Sequence, residues 1–158
     1  MNIITLAQTP INRNSKEMNV ELRKATENDL GFIWKLYSSS VGQLMGDKIV
    51  GGWNDEVEKL KFRKIFSLAN TEIIIVSGET VGWIDYRKEG STVKLINGYI
   101  IPEKRRKGIG KEVVKKVRVG SSEVVTSTIA NSPSKEFFTQ QGFKEEKQDG
   151  EFVQLKLT

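Results

Sequence analysis

The sequence contains no cysteine and no histidine among its 158 residues. The absence of cysteine excludes disulfides, thiolate nucleophiles, zinc–thiolate sites and iron–sulfur clusters. The absence of histidine excludes a Ser-His-Asp triad, an imidazole general base and most zinc or haem sites. Acid–base chemistry must therefore use aspartate, glutamate, tyrosine, lysine, the backbone or water. We expect no metal site.

Long hydrophobic runs are also missing. No apolar run approaches the roughly 20 residues of a membrane-spanning helix, and the first residues lack the basic stretch of a secretion signal. We therefore expect a cytoplasmic protein with no membrane partner. The length, with 37% hydrophobic and 28% charged residues, is typical of one globular domain. Residues 1–18 are predicted to be an N-terminal extension and residues 19–158 the domain.

The positive charge is concentrated in one segment. The net charge is +5, yet residues 103–118 contain eight basic and two acidic residues, which give +6 and leave −1 for the rest of the chain. One basic segment on a near-neutral body indicates a local site for a polyanion. The same distribution argues against a general nucleic-acid surface.

Alternating helical and strand patterns predict an α+β protein of three layers, in the order β-α-α-β-β-β-α-β-α-β-β. Two of the strands, residues 81–86 and 92–101, are predicted to form a hairpin. Pro102 ends the second of them, and a helix begins at Gly108. The last two strands flank Asp149-Gly150, a strong hairpin signal.

The loop before this helix has the features of a phosphate site. The first N–H groups of a helix have no internal partner and lie at the positive end of its dipole. Gly108 and Gly110 lack Cβ atoms, so a phosphate can approach the backbone closely. Two other phosphate motifs do not fit, because a P-loop needs Ser or Thr where Glu112 stands and a dinucleotide fingerprint needs glycine where Val113 stands.

Two motifs resemble those of the GNAT superfamily of N-acetyltransferases. One is Arg105-x-x-Gly108-x-Gly110, which follows Ile100-x-Pro102 and resembles the family's acyl-CoA pyrophosphate loop. The other is Asn131-x-x-Ser134-x-x-Phe137-Phe138-x-x-x-Gly142-Phe143, which resembles a segment on the family's fourth helix. The predicted order of elements also matches. The resemblance implies the GNAT fold, a mixed and mostly antiparallel sheet splayed between strands four and five, with acetyl-CoA as co-substrate.

The resemblance also implies roles for individual residues. It places the following residues at the cofactor: Ile100, Ile101, Arg105, Arg106, Lys107, Gly108, Ile109, Gly110, Lys111, Asn131 and Phe138. The Ile100 N–H would steady the oxyanion that forms on the attacked thioester. Asn131 would contact pantetheine or nearby backbone. It could also cap the following helix, and the two roles are compatible.

The catalytic acid and base are less determined. Phe138 stands where the family often has the tyrosine that protonates the departing thiolate, so the thiolate would leave unaided or take a proton from water or from Tyr99. The fourth strand holds no carboxylate, which leaves Asp85 on the preceding strand as the nearest base. A turn near Glu89-Gly90 would place Asp85 opposite Lys94, and this favours a cross-strand ion pair over catalysis. Asp47 and Glu56 are further candidates.

The acceptor region of the family lies between the first two helices. There the resemblance implies that Tyr37, Met45 and Trp53 either bind the acceptor or pack on the core. We expect an enzyme that transfers acetyl to the primary amine of a small molecule by direct attack in a ternary complex. The alternatives are a CoA-binding GNAT module without transfer activity, or an acetyltransferase directed at RNA or protein. Family members often dimerise, so a homodimer is compatible with the sequence.

Overall fold

The computed structural model describes residues 18–158, and the predicted extension lies outside them except for Met18. Met18 packs against the core, with its Cε atom beside Gly108. The strands are β1 (Val20–Lys24), β2 (Thr71–Val76), β3 (Glu79–Glu89), β4 (Thr92–Ile100), β5 (Glu123–Ile129), β6 (Lys144–Asp149) and β7 (Phe152–Leu157). The helices are α1 (Leu30–Met45), α2 (Asp55–Ile65), α3 (Ile109–Val117) and α4 (Pro133–Gln140). The predicted fold class and order of elements are confirmed.

One seven-stranded sheet has the order β1-β2-β3-β4-β5-β7-β6. Every neighbouring pair is antiparallel except β4 and β5, which run parallel and are joined through α3. Successive side chains of a strand face opposite sides, so Trp83 and Ile84 on β3 belong to different cores. The sheet is therefore the middle of three layers.

Each face of the sheet has its own hydrophobic core. The core under α1 and α2 consists of Ile33, Leu36, Phe62, Ile73, Trp83 and Tyr99. The core under α3 and α4 includes Ile84, Leu95, Ile100, Ile109, Val113, Val117, Phe137 and Phe138. Local signals start the helices: the Asn54 side chain accepts from the Val57 N–H to cap α2, and Pro133 opens α4.

A bulge in β4 marks the point where the sheet opens. On the β3 side, Asp85 pairs with Asn97 and Tyr86 with Leu95, so Ile96 is an extra residue in β4. Such a bulge bends the strand and increases its local twist. The pairing with β5 ends at Leu95 and Thr126, just before the bulge. The remainder of β4 therefore diverges from β5 and leaves a cleft, as the predicted splay requires.

Among residues 18–158, no helix combines the length and the apolar character needed to cross a bilayer.

Candidate functional site

The cleft between β4 and β5 exposes main-chain groups of β4. The Ile101 N–H donates to the Val81 carbonyl at 2.8 Å, although Ile101 was predicted to bind cofactor. Since Gly82 pairs with Ile100, this bond makes them a non-hydrogen-bonded pair of the antiparallel ladder. The N–H and C=O of Ile100, and by alternation those of Gly98, therefore point away from β3 toward the cleft.

The walls of the cleft are apolar. A small apolar space, partly open to solvent, lies beside the end of β4 between β3, β4, α3 and α4, and no residue of β5 is in its lining. Its lining consists of Ile74, Trp83, Ile84, Leu95, Gly98, Tyr99, Ile100, Gly110, Val113, Val114, Phe137 and Phe138. An apolar cleft with a few main-chain donors suits a long, flexible ligand that carries amides.

The basic loop folds into an anion-binding shape at one end of this cleft. Arg106 and Gly108 both adopt left-handed backbone, with φ of +61° and +84°, on either side of the exposed Lys107. Closely spaced left-handed residues turn N–H groups toward one concavity. Gly108 is the N-cap of α3, so the N–H groups of residues 109–111 have no acceptor within the helix. The loop therefore has the backbone geometry of an anion site, and the binding of a diphosphate there stays a prediction.

The two glycines of the loop serve different purposes. The positive φ of Gly108 is unfavourable for any other residue. A Cβ atom on Gly110, in contrast, would lie 3.0 Å from Cζ of Phe137. Gly110 therefore lets α3 pack closely on α4, a role beyond the phosphate approach that the sequence predicted.

Phe138 is a core residue. Its side chain is fully buried, and its ring lies 5.0 Å from that of Phe137 and 4.9 Å from that of Phe143, measured between centroids. The ring lines the cleft but offers no hydroxyl group there.

Arg105 turns its side chain inward. Its Nε donates to the Ile100 carbonyl at 2.7 Å, and one terminal nitrogen donates to the Ser40 hydroxyl of α1 at 3.0 Å. Its own N–H donates to the Pro102 carbonyl. Burial lowers the pKa of the guanidinium. The structure therefore gives this side chain protein partners, whereas the sequence predicted that it binds the diphosphate.

The predicted ion pair between Asp85 and Lys94 is wrong. Asp85 lies opposite Asn97, and Lys94 instead forms a salt bridge of 3.1 Å with Glu89 on its own hairpin. The hairpin turn lies one residue later than the sequence suggested, and the extra residue at Ile96 shifts the register beyond it. The residues of the turn show that a hairpin is present, but they do not fix the exact position of the turn or the extra residue in β4.

Asp85 is a deeply buried carboxyl group. Its side chain is 1% exposed, and neither oxygen has a hydrogen-bond partner among residues 18–158. Burial raises its pKa to about 6, an effect that the positive charge of Arg87 partly opposes. Its cross-strand neighbours Thr71 and Asn97 are buried too, and the Tyr99 hydroxyl donates to Oδ1 of Asn97 at 3.3 Å. Asp85 does not line the apolar cleft, but a buried carboxyl group with a raised pKa is a candidate for acid–base work.

Tyr99 belongs to an aromatic cluster below α1. Its ring centroid lies 5.3 Å from that of Trp83 and 5.7 Å from that of Tyr37. Burial raises the pKa of Tyr99 well above its usual value, and burial also raises the pKa of Tyr37. Both hydroxyl groups are therefore protonated at neutral pH.

The other predicted acceptor residues lie farther along α1. The Trp53 ring packs on α1 at Gly42, and its Nε1 donates to Oδ1 of Asp55 at 2.6 Å. Met45 is the last residue of α1. Since α1 rises 1.5 Å per residue, Gly42 lies roughly 8 Å from Tyr37 along the axis. Tyr37 is thus the predicted acceptor residue that contacts the β4 side of the site.

Asn131 is exposed and lies two residues after the end of β5. It does not cap the following helix, because Ser132 does so: the Ser132 hydroxyl accepts from the Lys135 N–H at 3.3 Å. Of the two roles considered for Asn131, a contact with the cofactor stays a prediction.

Two residues of the site were not predicted from the sequence. Ser40 lies on the buried stripe of α1, at helical spacing from Ile33 and Leu36, so a polar residue within that stripe is the signal that could have revealed it. Asn97 lies in an apolar strand, one position after the bulge at Ile96. Its identity is visible in the sequence, but the direction of its side chain depends on the bulge.

No protein-family model and no curated protein matches the chain. Several solved structures, in contrast, are similar to it. The PaiA N-acetyltransferase of Thermoplasma acidophilum, in complex with coenzyme A, is 19% identical with a TM-score of 0.67, and the match covers 88% of this chain and 98% of that one. A GNAT-family acetyltransferase of Bacillus anthracis is also 19% identical, with a TM-score of 0.63 and coverage of 87% and 93%.

A third similar structure is the N-acetylglutamate synthase of Neisseria gonorrhoeae, complexed with coenzyme A and N-acetylglutamate. It is 17% identical with a TM-score of 0.60; the match covers 90% of this chain but 35% of that longer one. At such identities the likeness concerns the fold. Together with the splayed sheet and the loop before α3, it shows that the chain has the fold of the GNAT acetyltransferases.

Proposed function

We propose that the protein is an acetyl-CoA-dependent N-acetyltransferase that modifies the primary amine of a small molecule. The observation that carries this proposal is the cleft beyond Leu95, where main-chain groups of β4 face an apolar space next to the loop before α3. Similar structures hold coenzyme A, and one of them holds N-acetylglutamate, a small acylated amine. Both fit a cofactor and an acceptor that meet at this cleft.

The cofactor would lie with its diphosphate on the loop and its pantetheine arm along β4. Residues 106–111 offer helix N–H groups and positive charge to the diphosphate. The N–H and C=O of Gly98 would pair with pantetheine amides as a further strand would. The Ile100 carbonyl already accepts from Arg105, so Ile100 would offer only its N–H to the cofactor. The thioester would then lie where α1 packs against Tyr99 of β4.

The reaction is a direct transfer. The amine nitrogen attacks the thioester carbonyl carbon, a C–N bond forms, and the C–S bond breaks with its electrons leaving on sulfur. The Ile100 N–H points into the cleft and would stabilise the oxyanion. Asp85, whose pKa of about 6 leaves it ionised at neutral pH, would accept the amine proton through a water molecule. The thiolate takes a proton from water or from Tyr99.

The test is release of free thiol from acetyl-CoA in the presence of a panel of primary amines, with product mass as confirmation. Turnover should decline as the pH falls below about 6, and Asp85→Asn should remove that dependence along with most of the rate. Thiol release no faster than in buffer across the panel would refute the enzymatic proposal.

One observation favours a second candidate, a CoA-binding module without transfer activity. The fully buried ring of Phe138 leaves the cleft without the hydroxyl that tyrosine would supply at that position. Stoichiometric CoA binding without turnover for any amine would support this candidate. Turnover that appears only in Phe138→Tyr would show that the missing proton donor is the cause.

A further inference from the structure

We propose that Arg105 is a positioning residue that ties the cofactor loop and the end of β4 to α1, the helix that carries Tyr37. The inference rests on the proposed function because coenzyme A is the ligand whose binding it concerns. It assigns Arg105 and Ser40 a joint role: to transmit occupancy of the cofactor loop to the acceptor side.

The geometry joins three elements through one guanidinium. Arg105 directly precedes the left-handed Arg106, which turns the loop toward the start of α3. Its Nε holds the carbonyl of Ile100, the last residue of β4, and its terminal nitrogen holds the hydroxyl of Ser40 in the middle of α1. Ser40 is 65 residues away in the sequence. A single side chain thus connects the cofactor loop, the end of β4 and α1.

The site is built for arginine. A guanidinium presents several donors in a fixed plane, so one side chain can bridge two acceptors on different elements; lysine keeps the charge but lacks that fork. Ser40 is 7% exposed, so water competes little for its hydroxyl. Hydrogen bonds from a charged donor are roughly twice as strong as neutral ones.

The expected consequence is a coupling between the loop and α1. When a bound diphosphate restrains residues 106–111, the neighbouring Arg105 moves less. Its hydrogen bonds then restrain the Ile100 carbonyl and the Ser40 side chain as well. The α1 turn that carries Tyr37, one turn before Ser40, then opens less often. Coenzyme A should therefore slow amide hydrogen exchange in the middle of α1, and this slowing should depend on the hydrogen bond between Arg105 and Ser40.

The experiment measures CoA binding by calorimetry and α1 amide exchange with and without CoA, in four proteins. These are the unmodified protein, Ser40→Ala, Arg105→Lys and the matched control Ser39→Ala. Ser39 is the adjacent residue of the same helix, and its hydroxyl bonds to the Lys35 and Leu36 carbonyls within α1. The control therefore removes a serine hydroxyl from α1 without touching the link.

In the unmodified protein and in Ser39→Ala, CoA should slow exchange in the middle of α1 by about tenfold, the effect of one charged hydrogen bond of about 1.4 kcal/mol. In Ser40→Ala and Arg105→Lys this slowing should be largely lost, while the CoA dissociation constant stays within about threefold. A general loss of structure would change amide exchange both with and without CoA. The difference in exchange between the two conditions therefore reports on the hydrogen bond between Arg105 and Ser40 alone.

Four results would overturn the inference. If Ser40→Ala retains the CoA-dependent slowing, the link does not act as proposed. If Arg105→Lys weakens CoA by more than about tenfold and Ser40→Ala has no effect on α1, then Arg105 is a phosphate ligand. If the unmodified protein gives no heat with CoA, the proposed function fails and the inference fails with it, whereas binding without any change in α1 refutes the inference alone.

Discussion

Replacing Asp85 by asparagine should remove a pH dependence from the stability of the protein. The folded state holds the carboxyl group buried and without a hydrogen-bond partner among residues 18–158, which raises its pKa from 3.8 to about 6. Folding therefore favours the protonated form, and this contribution is fully present below about pH 4 and is lost as the pH rises through about 6. The difference between a pKa of 3.8 in the unfolded chain and one of about 6 in the folded protein corresponds to about 3 kcal/mol.

The assay is urea unfolding of both proteins at about half-unit steps from pH 4 to pH 8. The stability of Asp85→Asn minus that of the unmodified protein should rise by about 3 kcal/mol between about pH 4 and pH 7 and then stay constant. Because other titrating groups are common to both proteins, they cancel in this difference. A fixed cost of burying the amide shifts the whole difference curve but leaves its shape unchanged.

Asp29→Asn is the matched control. The salt bridge of 2.9 Å and the hydrogen bonds from Arg23 hold the pKa of Asp29 at about 2, so its contribution to stability is lost only as the pH falls below about 4. Its difference curve should be flat between about pH 5 and pH 8. If the Asp85→Asn curve were equally flat, the carboxyl group would not be held unpaired in a dry environment, and its assignment as the base would fall.

Three further predictions concern the loop before α3 and the helices. Gly110→Ala should lower stability by about 1–2 kcal/mol in urea unfolding, because its Cβ would meet the buried Phe137 ring at 3.0 Å. Gly31→Ala, in α1 with no atom near its Cβ, should raise stability by up to about 1 kcal/mol; a loss would contradict the open space beside this residue. Lys107→Ala should weaken CoA binding about threefold in low salt and less in high salt, and the distant Lys116→Ala should not.

Much of the fold could be predicted because its signals are local. Pro102 cannot continue a strand ladder and Gly108 can adopt positive φ, so the end of β4 and the start of α3 followed from single residues. The bulge at Ile96 could not be predicted in this way. It depends on how β3 and β4 pack together, and nothing in the residues beside it requires an extra residue.

The same difference explains which parts of the site were missed. The loop residues could be found because a phosphate site uses backbone N–H groups that glycines and a helix start expose. The surroundings of Asp85 depend on the register of two strands, and a register error of three residues, from Asn97 to Lys94, turned a buried carboxyl group into a surface ion pair. Arg105 was predicted to bind the diphosphate because of its charge and its position in the motif. Its hydrogen-bond partners, Ile100 and Ser40, lie on β4 and α1, so the sequence around Arg105 does not reveal them.

The opened sheet itself supports the assignment of a cofactor, independently of the charged loop. The N–H and C=O groups of a strand need hydrogen-bond partners from another strand, from water or from a ligand. In an apolar cleft few water molecules are available to form these hydrogen bonds. Beyond Leu95, β4 has no partner in β5, yet Gly98 and Ile100 turn N–H groups toward that side. A ligand that fills the cleft must therefore present acceptors at strand-like spacing. The pantetheine arm has two amides in an extended chain, and a diphosphate alone has none, so pyrophosphate should bind far more weakly than coenzyme A even though it satisfies the loop.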